Sequence, residues 1–155
     1  MDARLAGLAD EICHTVTVFG PLGRPLWPPV ASSLLGAFER GEAKENLAVL
    51  STDSSPAGWA ALLKWWEGSS IQELILIGSW PTGALVSEQV HREALGVVSS
   101  YREALCRKDL RGWAILQRND AQAVISALRK GSSRSRVLQE MALEVNRLTH
   151  FRESS

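Results

Sequence analysis

Three acids in this chain, Asp53, Glu93 and Asp120, are the side chains whose placement suggests chemistry. Asp53 closes an apolar run, LAVLSTD from Leu47. A carboxylate on a strand whose neighbours are buried is costly unless a partner compensates its charge. A divalent cation is such a partner, because hard cations take carboxylate oxygens. Glu93 and Asp120 come later, where such a cation site would need them. Each acid also has a plainer role open to it. Asp53 could cap the Ser-Ser-Pro-Ala-Gly bend that follows it. Glu93 could be a solvated helix residue, and Asp120 could be the N-cap of the next helix.

The elements that must position these acids follow from patterning. Leu47–Asp53 reads as a central strand, since its apolar run is nearly continuous. Gly58–Trp66 follows after a short turn and makes a hairpin with it. Glu73–Trp80 is a third strand, stopped by Pro81 and Gly83. Ser87 is expected to cap a helix running to Lys108, with Val90, Ala94, Val97, Val98, Tyr101 and Leu105 at helical spacing. Glu93 lies at the edge of that stripe. Gly112–Asp120 is a fourth strand, followed by helices over Ala121–Leu128 and Arg136–Thr149. The order from Leu47 is therefore β-β-β-α-β-α-α. A helical crossover lets the fourth strand lie parallel beside the first. Asp53 and Asp120 then end adjacent strands, where ligand sites of such sheets gather.

Residues 1–46 read as a lead-in or connector, 47–150 as the domain and 151–155 as a tail. The lead-in allows a short amphipathic helix over 2–13 with Asp2 as its cap, and a strand at Thr15–Phe19. A loop, GPLGRPLWPP, then carries four prolines in ten residues. A second short helix is expected from a Ser32 or Ser33 cap to Phe38.

At 155 residues, 45% hydrophobic and 22% charged, the chain suits one globular domain. The formal net charge is zero. A polyanion must then be recognised by a local patch and not by the whole field. One candidate is RKGSSRSR, where Arg129, Lys130, Ser133 and Arg134 suit phosphate contacts; the alternative is a solvated loop. Ser54 and Ser55 could meet a ribose hydroxyl, or simply form the turn. Cys13 and Cys106 match no metal-ligand spacing and read as free thiols of an intracellular protein, in cytoplasm or nucleus. No apolar run reaches membrane-spanning length. Trp59, Trp65, Trp66 and Trp113 read as packing residues.

The stretch TDSSPAGWAALL resembles the opening strand-turn-strand of ribonuclease H domains in retroelement reverse transcriptases, of the DIRS-like and pararetrovirus-like type. VHREALGVVSSYREAL is similar to their first helix, with its glutamate ahead of a Leu/Ala/Val run. GWAILQRNDAQAVISALRKGSSRSRVLQEMALEV resembles their fourth strand, its terminal aspartate and the next two helices. The resemblance implies an α/β fold: a mixed sheet of three antiparallel strands plus a parallel fourth, flanked by helices, with the last strand missing. It implies a metal-dependent endonuclease that cleaves the RNA strand of RNA–DNA hybrids, with an upstream polymerase domain as a partner. Asp53, Glu93 and Asp120 would be both catalytic residues and ligands of two Mg²⁺ or Mn²⁺ ions. The sequence departs from the pattern in three ways. No fourth acid sits in a matching motif, although His150 and Glu153 are present. Ala60 stands where a glycine is usual. Ser54 stands where an alanine is usual. The alternative reading is a non-catalytic nucleic-acid-binding or scaffolding module on the same fold.

Overall fold

The structure is a computed structural model that describes residues 16–19, 28–80 and 88–154. Five strands, β1 (Val16–Phe19), β2 (Leu47–Ser54), β3 (Gly58–Glu67), β4 (Ser70–Ser79) and β5 (Ala114–Arg118), form one sheet in the order β1-β5-β2-β3-β4. Four helices flank it: α1 (Pro28–Glu39), α2 (Gln89–Arg107), α3 (Gln122–Lys130) and α4 (Arg136–Ser154). The fold is mixed α/β with a single parallel pair, β2 beside β5, in register Ala48 to Ile115 and Ser51 to Arg118. All other pairings are antiparallel.

Strand alternation decides which layer each β2 residue meets. Ala48 and Leu50 join Leu63, Leu76 and Ile115 under α2 and α4, against Val97, Tyr101, Met141 and Val145. Leu47 and Val49 face the other way, with Leu116, onto Ala31, Leu35 and Phe38 of α1. Covering both faces explains why LAVL has no polar interruption. On the α1 side the cover stops short of the edge strand. Ile71, Ile75 and Ile77 of β4 stay exposed, Ile77 at 75%.

The N-terminal third does more than lead in. Its strand β1 pairs antiparallel with β5, from Val16 opposite Arg118 to Phe19 opposite Ile115. The parallel fourth strand therefore has a neighbour on its far side, where the expected sheet ended. The helix α1 starts at Pro28, four residues ahead of the expected Ser32 cap. Proline suits a first helical turn because its missing N–H has no partner there anyway. At the other end, α4 runs on to Ser154 through residues read as a tail. The expected helix over 2–13 and the Ser87 cap lie outside the described residues; α2 begins after Glu88, whose side chain makes no capping bond.

Helices α2 and α4 are also joined by charge. Glu144 of α4 accepts from Arg102 of α2 at 2.8 Å and from Arg147 one turn away. These two guanidinium partners hold the Glu144 carboxyl down at about 2. Among the described residues no helix is long and apolar enough to cross a membrane.

Candidate functional site

The site lies at the C-terminal end of the parallel β2–β5 pair, and three elements build it. Asp53 is the next-to-last residue of β2, opposite Ala60 of β3. Asp120 lies two residues beyond β5 and is exposed. The strand runs Ala114–Arg118, so the expected strand over Gly112–Asp120 is shorter by two residues at each end. Glu93 sits in the second turn of α2, on its buried face with Ala94, Val97, Ser100, Tyr101 and Ala104. It is only 8% exposed, so it belongs to the buried face and not merely to the stripe's edge.

Close approach of α2 to the sheet makes this burial possible. A Cβ on Gly96 would stand 3.3 Å from the Ser54 Cβ and 3.7 Å from the Trp59 Cβ. Glycine there lets the helix backbone rest on the end of the β2–β3 hairpin, three residues after Glu93. Alternation puts Ser54 on that α2 face, along with Thr52 and Leu50, and Asp53 on the opposite face. The carboxylates thus reach the sheet's end from different sides: Glu93 from the helix layer, Asp53 from the α1 side, Asp120 from the loop beyond β5.

They still feel one another. Burial first, then the charge of Asp120 and more weakly that of Asp53, push the Glu93 carboxyl up to about 7. Ser54 and Asn119 pull the other way. Ser54 Oγ, itself buried, has no hydrogen-bond partner among the described residues. Its pull is that of a nearby hydroxyl and not of a formed bond. Glu93 Oε2 is likewise buried with no such partner. A buried carboxylate oxygen left open is costly, and neutral Glu93 is the cheaper form when two other acids stand near it.

A polar clamp that sequence patterning missed sets the position of Asp120. Thr52 Oγ1, 2% exposed, accepts from Gln117 Nε2 at 3.2 Å and from Asn119 Nδ2 at 2.8 Å. Asn119 Oδ1 in turn accepts from the Ala121 N–H at 2.8 Å. The clamp ties the ends of β2 and β5 together and opens α3, with Asp120 held between Asn119 and Ala121. Asp120 is therefore not the N-cap; that position is Ala121, and the Asn119 side chain takes its N–H. The one available sequence signal was a Thr and an Asn at the ends of two strands expected to be parallel neighbours.

The turn after Asp53 is made by Ser55. Its Oγ accepts from the Ala57 and Gly58 N–H groups at 3.2 and 3.3 Å and donates to the Gly58 carbonyl. Trp80 Nε1 donates to the Ser55 carbonyl at 2.7 Å. The Ser55 hydroxyl is thus committed to the bend, and Asp53 is not needed to cap it.

The basic loop forms a second feature. Gly131, at φ 74°, ends α3 in the left-handed conformation that glycine tolerates. A cavity of about 630 Å³ opens beside it, lined by Ser126, Lys130, Ser132, Ser133 and Arg134 over Ala123, Ala127 and Leu138. Lys130 and Arg134 are exposed. Arg129, half-buried, does not line the cavity. The Ser133 N–H donates to Gln139 Oε1 at 2.8 Å, and Ser133 Oγ accepts from the Ser135 N–H at 3.1 Å. The nine residues of α3 put this cavity about 14 Å from Asp120 along the helix.

The chain matches no family model, no curated protein and no solved structure. Among the described residues, no group of three or more His, Cys, Asp or Glu closes on a point that would hold a metal ion. The donor chemistry at the sheet's end still suits a hard cation. It offers carboxylate oxygens from three elements and one buried oxygen without a partner.

Proposed function

We propose that this domain is a metal-dependent nuclease acting on the RNA strand of RNA–DNA hybrids, with Asp53, Glu93 and Asp120 as the ligands of Mg²⁺ or Mn²⁺. The observation that carries the reading is the buried Glu93 carboxyl, open at Oε2 and charged against by Asp120 and Asp53 at the end of the parallel strand pair. Divalent cations bound there would supply charge to stabilise a phosphodiester's leaving oxygen and to activate the attacking water. The remaining work falls to the chain. Thr52, Gln117 and Asn119 hold the two strand ends in register, and Gly96 lets α2 carry Glu93 inward. Ser54, half-buried with its Oγ turned away from solvent near Glu93, acts as a positioning residue and not as a ribose contact. Lys130 and Arg134 line a cavity suited to backbone phosphates, which position a strand without reading its sequence.

The test is a cleavage assay on an end-labelled hybrid with Mg²⁺, Mn²⁺ or EDTA, run beside thermal melting with and without the ions. The expected result is ion-dependent cutting of the RNA strand and an ion-dependent rise in melting temperature. Both should vanish in Asp53→Asn. Cutting that survives Asp53→Asn, or the lack of both effects in the parent protein, overturns the proposal. A hybrid bound with steep salt dependence but left intact would replace it with the binding-only reading.

A further inference from the structure

The opposite end of the sheet carries a second cluster, which the carboxylates do not explain. Asn46 and Asp53 are seven residues apart, and at strand rise they are separated by about 23 Å. There, a cavity of about 360 Å³ lies between Trp66 and Trp113, with Lys44, Glu45, Asn46 and Gly68 completing its wall. The Trp66 ring is held by its own contacts and the Trp113 backbone is anchored. Trp66 Nε1 donates to the Phe38 carbonyl at 2.8 Å, and its ring meets the Phe38 ring edge-on at 6.2 Å. The Trp113 N–H donates to the Leu110 carbonyl at 3.0 Å, and the Ala114 N–H to the Asn46 carbonyl at 2.9 Å. Asn46 holds φ 53°, and neither its side chain nor that of Glu45 makes a hydrogen bond within the described residues. Both are exposed at the mouth. A Cβ on Gly68 would meet nothing within 4 Å, so that side is open.

The rings already hold ammonium groups. Lys44 Nζ sits 5.1 Å from the Trp66 ring centre. Lys108 Nζ sits 4.8 Å from both Trp113 and Trp65. A cationic guest would have to displace a lysine and then meet its charge. A flat, electron-poor ring bearing an anion meets the opposite situation. It stacks on the indole while a lysine swings from the ring face to the anion, and Asn46 and Glu45 offer donors and acceptors to the ring's edge. We propose that this cavity binds a nucleobase with its phosphate, presented by a single nucleic-acid strand or by a free nucleotide. The proposal does not depend on the carboxylate site.

The experiment measures binding of a ten-nucleotide single-stranded RNA by anisotropy, and of adenosine monophosphate by tryptophan quenching. Parent protein, Trp113→Ala, Lys44→Ala, Asn46→Gly and Glu140→Gln are compared, each checked by thermal melting. Trp113→Ala is expected to weaken binding about tenfold or more, the scale of one lost base–indole stack. Lys44 is half-buried beside Trp66, so thermal melting must show that Lys44→Ala folds as the parent does. That variant should lower the slope of log affinity against log salt by about 0.7, one phosphate contact on a single strand. Asn46→Gly keeps the backbone conformation and should weaken binding of one base more than others. Glu140→Gln, at an exposed helix position outside both sites, should bind as the parent does. Binding of both probes assigns the cavity to a nucleotide unit, and binding of the RNA alone assigns it to a strand. The proposal falls if neither probe binds, if Lys44→Ala and Asn46→Gly leave binding unchanged, or if a trimethyl-lysine peptide competes for the site instead.

Discussion

Replacing Glu93 by Gln should change how folding stability depends on pH, and the size of the change follows from the site. In the folded protein, burial and the charges of Asp120 and Asp53 raise the Glu93 carboxyl from 4.5 to about 7. In the unfolded chain it titrates near its ordinary value. Between these pH values the folded state holds a proton that the unfolded state has lost. Stability therefore falls as pH rises through the window, with the full contribution present below about 4.5 and gone above about 7. At about 1.4 kcal/mol per pH unit, the difference is about 3 kcal/mol. Glu93 is 8% exposed, so solvent does little to screen it. Gln has nearly the same shape and no charge to lose. The stability of Glu93→Gln minus that of the parent should therefore rise by about 3 kcal/mol between pH 4.5 and pH 8. Urea unfolding at intervals of half a pH unit measures this, and groups that titrate equally in both proteins cancel in the difference. A difference that stays flat within about 1 kcal/mol would refute the reasoning, because a carboxyl among acids in a buried pocket cannot titrate normally.

Two further outcomes test the scaffold around the site. Thr52→Val keeps the side chain's shape but strips the acceptor from Gln117 Nε2 and Asn119 Nδ2. It should cost about 1–3 kcal/mol in urea unfolding, the penalty for stranded buried donors, and should also reduce any ion-dependent cleavage by freeing Asp120. Gly58→Ala would drive a Cβ onto the Gly78 carbonyl oxygen across the β3–β4 pair. Backbone cannot yield there as a side-chain tip would, so a loss of about 1–3 kcal/mol is expected in thermal or urea melts.

Placing one carboxylate on a helix and two at strand ends has a cost for the ion-free protein. Burial first, and then the charges of Asp120 and Asp53, make Glu93 hard to ionise. A cation bound beside Glu93 would offset that cost, so ion-dependent melting tests the proposed site.

Patterning in the chain was enough for the order of the four strands from Leu47 and the parallel contact of β2 with β5. Each depends on local periodicity or on the rule that a helical crossover returns the chain in parallel. The apolar run of Leu47–Leu50 announced a strand covered on both faces, although not what covered the second. Sequence could not show that β1 and α1 would supply the fifth strand and that cover. The strand at Thr15–Phe19 and the helix to Phe38 could be expected as elements, but their partners are Arg118, Leu116 and Val49, far along the chain. Nor could it place the clamp from Thr52 to Gln117 and Asn119, or bring Trp66 and Trp113 to one cavity. Contacts between residues this far apart in the chain leave no repeat to read, because only closing the sheet makes them neighbours.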